Sequence, residues 1–262
     1  MKHLPNLLTL TNLFFGCIAI VFILDAQPFQ VMINGEYYYV TGTERAYWGA
    51  VFIGLAAVCD LLDGFTARAL QIYSPIGKDL DSLADVVSFG VAPSMILFKM
   101  LWAAWMLEED AFDVSMLAMA PAFLVACFAA LRLARFNVSP AKGTGFTGMP
   151  VPAVGLLVAS FPLINFYNPY GTGMWLQGKW TTYLIIGLLC WLMVSRIPFF
   201  KLMPARWNMA HLWPRIILVA VGIAALPVLG AAAVPLIFAL YILLSLVYRE
   251  PAPISPEENA AA

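Results

Sequence analysis

Four aspartates in one short stretch have the type and spacing of a metal site. Asp60 and Asp63 are three residues apart, and Asp81 and Asp85 are four apart, so each pair shares one face of a helix. Long apolar runs flank the stretch on both sides. Because charge at membrane depth is costly, such residues usually mark a functional site. Asp79 lies roughly 160 to 200° around the helix from Asp81, so we interpret it as a helix-end or supporting group.

The chemistry of these carboxylates points to a divalent cation. Four convergent carboxylates repel one another unless a cation neutralises them, and ligands that are all oxygen favour Mg²⁺ or Mn²⁺ over zinc. Four of them can hold two ions, an arrangement that suits the clamping of a phosphoryl group. The alternative is that the aspartates lie at helix ends and pair with Arg68 and Lys78. The cost of placing charge in a membrane argues against it.

Small and basic residues around the aspartates suit a large phosphorylated ligand. Gly64 and Gly77 have no side chain, so a bulky ligand can approach the backbone there. Arg68 offers a fork-shaped set of donors for a phosphate. Between the two aspartate pairs, residues 71–76 contain Pro75 and predict a turn that brings both helices to one pocket.

The complete pattern resembles the signature of the CDP-alcohol phosphotransferases in all eight fixed positions. In this sequence it reads Asp60-x2-Asp63-Gly64-x2-Ala67-Arg68-x8-Gly77-x3-Asp81-x3-Asp85. Four further segments resemble the bacterial branch of that family that uses serine as acceptor: residues 5–12, 81–93, 131–137 and 146–152. Together the resemblance covers roughly residues 4 to 155, and the remainder matches mainly in hydropathy.

The resemblance implies an enzyme that moves a phosphatidyl group from CDP-diacylglycerol to the hydroxyl of L-serine and releases CMP. It implies that the four motif aspartates hold the metal ions and that Asp85 is also the general base. The residues expected to bind the donor lipid are Asn12, Gly64, Thr66, Ala67, Arg68 and Gly77. A homodimer in the inner membrane of a bacterium is also implied, with membrane lipids around it and no nucleic-acid partner. For Asn12, a polar contact with a neighbouring helix is the other interpretation.

Two arginines near the end of an apolar run are the candidates for acceptor binding. Serine carries a carboxylate, which needs a cationic partner when it is desolvated. Arg132 and Arg135 are three residues apart, with Asn137 beside them. From the charges alone, serine binding and snorkelling towards lipid phosphates explain these arginines equally well. The resemblance of residues 131–137 to the serine-acceptor branch favours serine binding.

Two alternatives stay open at this point. Within the family, the acceptor could be glycerol phosphate, inositol phosphate or another alcohol, and a phosphorylated acceptor would call for more cationic groups near the metals. A cation transporter also places carboxylates in a membrane. That interpretation leaves Gly64, Ala67 and Arg68 unexplained, and a transport path needs ionisable groups across the whole bilayer.

Composition and apolar runs predict the elements that position these residues. The chain has 262 residues, 62% hydrophobic and 11% charged, which is typical of an integral membrane protein and excludes an ordinary soluble domain. Residues 1–250 are expected to form one all-α membrane domain, 25–45 a loop and 251–262 a disordered tail. The runs predict a bundle of about eight transmembrane helices: 4–24, 46–70, 76–105, 114–136, 151–167, 179–197, 214–230 and 232–248. Gly230 and Pro235 predict a tight hairpin between the last two.

The distribution of charge predicts the orientation. With the N-terminus in the cytoplasm, most of the 14 basic residues lie on the cytoplasmic side, as the positive-inside rule requires. They are Lys2, Arg68, Lys78, Arg132, Arg135, Lys142, Arg196, Lys201, Arg206, Arg215 and Arg249. The opposite side receives acidic residues: Asp25, Glu36, Glu44, Glu108, Glu109, Asp110 and Asp113. The carboxylate pocket would then face the cytoplasm, where nucleotides and amino acids are available.

Overall fold

The computed structural model describes residues 4–25, 28–33, 36–41, 44–70, 75–108, 113–138, 146–167, 171, 173–200 and 209–248. Over these residues the chain forms ten α-helices: α1 Leu4–Leu24, α2 Glu44–Ala69, α3 Pro75–Asp85, α4 Ala92–Trp105, α5 Leu124–Val138, α6 Val151–Tyr167, α7 Gly173–Leu176, α8 Lys179–Val194, α9 Met209–Leu229 and α10 Ala233–Val247. A π-helical segment, Val86–Val91, joins α3 to α4. Three 3₁₀ segments are Met116–Ala118, Ala120–Phe123 and Gly230–Ala232.

The helices confirm an all-α integral membrane protein. Within the described part of the chain, five helical stretches are long and apolar enough to cross a membrane: Leu4–Leu24, Arg45–Ala69, Ile76–Trp105, Met116–Val138 and Leu212–Val247. α6 and α8 are shorter apolar helices. The exact number of eight spans stays a prediction.

The last long stretch turns back on itself at Gly230. This glycine has a φ of 54°, a left-handed backbone conformation that residues other than glycine rarely adopt. On either side of the turn, the rings of Trp213 and Tyr248 meet edge to face with centroids 5.8 Å apart. A Cβ added to Gly222 would lie 3.5 Å from Cδ1 of Ile237. α9 and α10 therefore run antiparallel, as the glycine and proline in this region predict.

α1 packs closely against both helices that carry the aspartates. A Cβ on Gly49 of α2 would lie 2.5 Å from Cγ1 of Ile23, and a Cβ on Gly16 would lie 2.3 Å from Oγ of Ser88. Small residues allow such close approach between helices in a membrane. α1 runs antiparallel to α2 and parallel to α3, so the start of α1, the end of α2 and the start of α3 meet at one end of the bundle.

The π-helical segment directly after Asp85 sits in the centre of the core. Phe89 within it is fully buried, and a Cβ on Gly155 of α6 would lie 2.8 Å from the Cβ of Phe89. The hydroxyl of Ser94 in α4 donates to the carbonyl of Gly90 at 2.8 Å and accepts from the amide of Ala126 at 3.1 Å. That amide belongs to the first turn of α5. This bond fixes α5 against α4.

Two short strand pairs interrupt the helical pattern. β1 (Pro28–Ile33) and β2 (Glu36–Thr41) pair antiparallel from Pro28↔Thr41 to Ile33↔Glu36, where a loop is predicted. The reason lies in the composition, because aromatic and β-branched residues favour strands and Asn34-Gly35 is typical of a two-residue hairpin turn.

The second strand pair joins the loops that follow α5 and α8. β3 (Phe146–Thr147) pairs with β4 (Pro198–Phe199), and the amide of Met149 donates to the carbonyl of Leu192 at 3.0 Å. Gly148 has a φ of 82°, and a Cβ there would lie 2.3 Å from the carbonyl oxygen of Met193. Several residues with a predicted place in the fold lie outside the described ranges: Lys2, 71–74, Glu109, Asp110, Lys142, Lys201, Arg206, Arg249 and 251–262.

Candidate active site

Three of the four motif aspartates converge at one end of the bundle. Carboxylate oxygens of Asp60, Asp63 and Asp81 all lie within 4.8 Å of one another. The first two come from successive turns of α2 and the third from α3, because the end of α2 and the start of α3 lie at the same end of the bundle. Asp63 is buried, and the other two are half-buried. The spacing in the sequence thus places both helices' acidic faces opposite each other.

Asp85 lies beside this cluster, one turn further along α3. Its carboxyl group is within hydrogen-bonding reach of Asp60, and its Oδ1 accepts from Nδ2 of Asn12 at 3.4 Å. The side chain is buried, with 6% of its surface exposed. Asp79, by contrast, is exposed on the other side of the same helix. Asp85 is therefore the deepest carboxylate of the group on α3 and the one closest to the core.

α1 supplies neutral hydrogen-bond donors to the carboxylates. The hydroxyl of Thr9 lies 2.6 Å from Oδ2 of Asp63. In the opposite direction, the hydroxyl of Ser88 donates to the backbone carbonyl of Asn12 in α1 at 3.1 Å. Sequence reasoning missed Thr9. The signal was available, because the buried residues of α1 recur every three or four positions within an otherwise apolar run: Pro5, Thr9, Asn12, Gly16, Ala19 and Ile23. Polar and small residues in such a stripe mark the packing face of a membrane helix.

The donor set fits a divalent cation. Three carboxylates at these distances, in a half-buried position, are stable together only when a cation or protons offset their charge. All the candidate ligand atoms are oxygen, which Mg²⁺ and Mn²⁺ prefer. Oδ1 of Asn12 is buried and has no hydrogen-bond partner among the described residues. The cluster can therefore hold a metal ion, with a polar atom of Asn12 left to meet a ligand.

The residues predicted to bind the donor lipid surround the aspartates at the same end. A Cβ added to Gly64 would meet nothing within 4 Å, so packing does not require a glycine there and the space beside α2 is open. Thr66 and Ala67 are half-buried one turn further on, and Arg68 is exposed in the last turn of α2. Gly77 is half-buried at the start of α3.

The three residues predicted to bind the acceptor have different environments. Arg132 is buried, with 9% of its surface exposed, and its Nε has no hydrogen-bond partner among the described residues. It lies close enough to Asp85 and to Tyr241 of α10 to interact with both electrostatically. Arg135, one turn later, is exposed. The structure therefore brings Arg132, and not Arg135, into the interior beside the carboxylates.

Asn137 connects α5 to α3. Its Nδ2 donates to the hydroxyl of Ser82 at 2.7 Å, and its backbone carbonyl accepts from Nζ of Lys78 at 3.0 Å. A lysine at the end of a helix is favourable because it meets the last carbonyls and the negative end of the helix dipole. These two bonds hold the arginine-bearing end of α5 against the helix that carries Asp81.

Comparison with known proteins identifies the family. A sequence model of the family described as CDP-alcohol phosphatidyltransferase matches residues 2–214. The CDP-diacylglycerol–serine O-phosphatidyltransferase of Helicobacter pylori is 33% identical over 210 residues, covering 78% of this chain and 75% of the relative. The enzyme of the same name from Bacillus subtilis is 30% identical over 218 residues, covering 79% of this chain and 100% of the relative.

A third relative is longer than the matched region. The CDP-diacylglycerol–serine O-phosphatidyltransferase of Mycobacterium tuberculosis is 31% identical over 209 residues, covering 77% of this chain and 62% of the relative. The match thus spans less than two thirds of the mycobacterial protein. The family model covers far more than half of this chain and includes every aspartate of the cluster. This chain belongs to the CDP-alcohol phosphatidyltransferase family.

Proposed function

We propose that this chain transfers the phosphatidyl group of CDP-diacylglycerol to the hydroxyl of L-serine, giving phosphatidylserine and CMP. One observation carries the proposal: a cluster of oxygen ligands, a buried carboxylate and a buried arginine lie together at one end of a membrane bundle. Relatives at about 30% identity are named for this reaction.

The metal site would consist of Asp60, Asp63, Asp81 and Asp85. Four carboxylates are enough for two ions of Mg²⁺ or Mn²⁺. When bound, such ions offset the negative charge of the diphosphate and of the departing CMP. Asp85 lies within hydrogen-bonding reach of Asp60, which supports a place for it at the metal site, and it would also lie next to the reacting groups.

The donor lipid would lie against the open side of α2 and the start of α3. The space at Gly64 and the absence of a side chain at Gly77 leave room for the cytidine diphosphate, with Thr66 and Ala67 beside it. Arg68, exposed at the end of α2, would donate to the phosphates. Asn12 would meet the nucleotide through its buried Oδ1. The acyl chains would stay in the bilayer.

The chemical step needs a base for the serine hydroxyl. Asp85 would take the proton from the hydroxyl oxygen of serine, and that oxygen would form a bond to the lipid-side phosphorus. The bond from this phosphorus to the bridging oxygen breaks, and CMP leaves with that oxygen and the electron pair. The burial of Asp85 keeps bulk water from competing as the acceptor.

Arg132 is the favoured partner for the serine carboxylate. Its guanidinium is buried near Asp85, and its Nε lacks a hydrogen-bond partner among the described residues. A planar guanidinium matches a carboxylate with two parallel hydrogen bonds. Arg135 and Asn137 belong to the same end of α5, and Arg135 would contribute less than Arg132 because it is exposed.

The acceptor can be identified directly with purified protein. The protein would receive CDP-diacylglycerol labelled in the phosphatidyl group, together with serine, glycerol 3-phosphate, inositol phosphate or inositol in separate reactions. We expect CMP and labelled phosphatidylserine in the reaction with serine, and no product in the others. Transfer to a phosphorylated acceptor would assign the chain to another branch of the family. Absence of CMP with every acceptor, together with cation flux into liposomes, would favour a transporter.

A further inference from the structure

The hydroxyl of Thr9 in α1 has two possible acceptors. It lies 2.6 Å from Oδ2 of Asp63 and 3.0 Å from the carbonyl oxygen of Pro5, but a hydroxyl has only one hydrogen to donate. Pro5 is four residues before Thr9 in α1, so its carbonyl is also the ordinary acceptor for the backbone amide of Thr9. The shorter distance to Asp63 matches a hydrogen bond from a hydroxyl to an ionised carboxylate. The hydroxyl therefore donates to Asp63.

We propose that Thr9 is a positioning residue for the metal site. This inference rests on the proposed role of the aspartates as metal ligands. Its hydroxyl holds the carboxylate of Asp63 in the orientation in which it meets Asp60 and Asp81. Thr9 is almost fully buried, with 4% of its surface exposed, so water does not replace this bond when the hydroxyl is removed.

The neutrality of the donor matters for this role. A lysine or arginine in the same place would also orient Asp63, but its charge would compete with the metal ion for the carboxylate. A threonine hydroxyl orients the ligand and leaves its full negative charge available. Partners of metal-binding carboxylates that act in this way typically change metal affinity by 10- to 100-fold when they are removed.

α1 offers a matched control for the test. Thr11 is also a threonine of α1, and its hydroxyl donates to the carbonyl of Leu7 at 2.8 Å on the exposed side. Thr9→Val and Thr11→Val make the same chemical change two residues apart, and only the first removes a donor to a carboxylate. Thr9→Ser restores the hydroxyl without the methyl group.

The measurement is Mn²⁺ binding to the purified, substrate-free protein, followed by the electron paramagnetic resonance signal of free Mn²⁺. We expect roughly 10- to 100-fold weaker binding for Thr9→Val, with Thr9→Ser and Thr11→Val close to the unchanged protein. Thermal unfolding shows whether each variant is folded, and Thr9→Ala takes the place of Thr9→Val if valine prevents folding.

Three outcomes would overturn the proposal. Equal Mn²⁺ affinity in Thr9→Val and the unchanged protein would remove Thr9 from the metal site while leaving the aspartates in place. Equal loss in Thr9→Val and Thr9→Ser would show that the hydroxyl alone does not preserve binding, and would attribute the effect to packing around residue 9. A failure of the unchanged protein to bind Mn²⁺ at all would reject the metal site itself, and the inference with it.

Discussion

Asp85 differs from the other three aspartates in its surroundings. The other three share a cluster of oxygen atoms, whereas Asp85 lies next to it, in contact with Asp60 and with the amide of Asn12. A carboxylate at the edge of a metal site, and buried from solvent, is well placed to accept a proton from a substrate hydroxyl. This position suits Asp85 for the role of base in addition to its proposed role as a metal ligand.

Replacing Asp85 with asparagine separates these two roles. Asp85→Asn keeps the size of the side chain and removes its basicity, so we expect the turnover number to fall by roughly two to four orders of magnitude. CDP-diacylglycerol should still bind, because Asp60, Asp63 and Asp81 can hold at least one ion. Single-turnover kinetics and a binding assay with the labelled lipid measure the two effects. Near-normal turnover in Asp85→Asn would show that Asp85 is not the base.

The two arginines of α5 give a matched pair of substitutions. Arg132→Ala should weaken the apparent affinity for serine by roughly 10- to 150-fold, which corresponds to about 1.5–3 kcal/mol for a hydrogen bond to a charged group. Arg135→Ala should change it little, because Arg135 is exposed at the end of the helix. Serine is titrated at saturating CDP-diacylglycerol, and the KM for the lipid shows whether the rest of the site is intact. An unchanged serine dependence in Arg132→Ala would remove Arg132 from the acceptor site.

At the scale of elements, the sequence predicts the helices well and their irregularities poorly. The apolar runs identify the long helices, and the i,i+3 and i,i+4 spacings identify the acidic faces of α2 and α3. The π-helical segment Val86–Val91 has no distinct local signal, because its residues are also ordinary components of an α-helix. The strands β1 and β2 could have been predicted from Asn34-Gly35 and the aromatic residues around it, so the prediction of a loop over residues 25–45 was wrong for these two strands.

The contact between α1 and the helix bearing Asp85 depends on a glycine. A Cβ on Gly16 would lie 2.3 Å from Oγ and 2.9 Å from Cα of Ser88, so Gly16→Ala forces the two helices apart. We expect a loss of about 1–3 kcal/mol in stability, as for other overpacked contacts, and reduced activity because Asn12 moves away from Asp85.

The control for this substitution lies in α2. A Cβ on Gly54 would meet nothing within 4 Å, so Gly54→Ala should leave both stability and activity near those of the unchanged protein. The unfolding midpoint of each variant in detergent and its rate of CMP release provide the comparison. A Gly16→Ala protein as stable and active as Gly54→Ala would show that close packing of α1 does not hold the site together.

At the scale of the whole molecule, the two ends of the bundle differ in chemistry. One end carries the aspartate cluster and the arginines of α5. The other carries the ion pairs Arg45–Asp25 and Lys179–Glu108, the second at 2.7 Å. The sequence predicts this segregation from charge counting alone. It does not predict which arginine enters the interior, because Arg132 and Arg135 differ only by one helical turn.

The orientation of the bundle can be measured in intact cells. Single cysteines at Arg196→Cys and Asp113→Cys, in a background without Cys17, Cys59, Cys127 and Cys190, report the two sides; both sites are exposed. We expect an impermeant thiol reagent to label the second and not the first, as the positive-inside rule predicts. Labelling of Arg196→Cys alone would reverse the orientation and remove the access of the site to cytoplasmic serine.

The central claim is that the aspartate cluster holds the divalent cation on which phosphatidyl transfer depends. The most direct test follows formation of labelled phosphatidylserine from CDP-diacylglycerol and serine after exhaustive chelation, and again after addition of Mg²⁺ or Mn²⁺. We expect chelation to abolish the reaction and one or both ions to restore it, because the cluster offers only oxygen ligands. Full activity in the chelated protein would contradict the account.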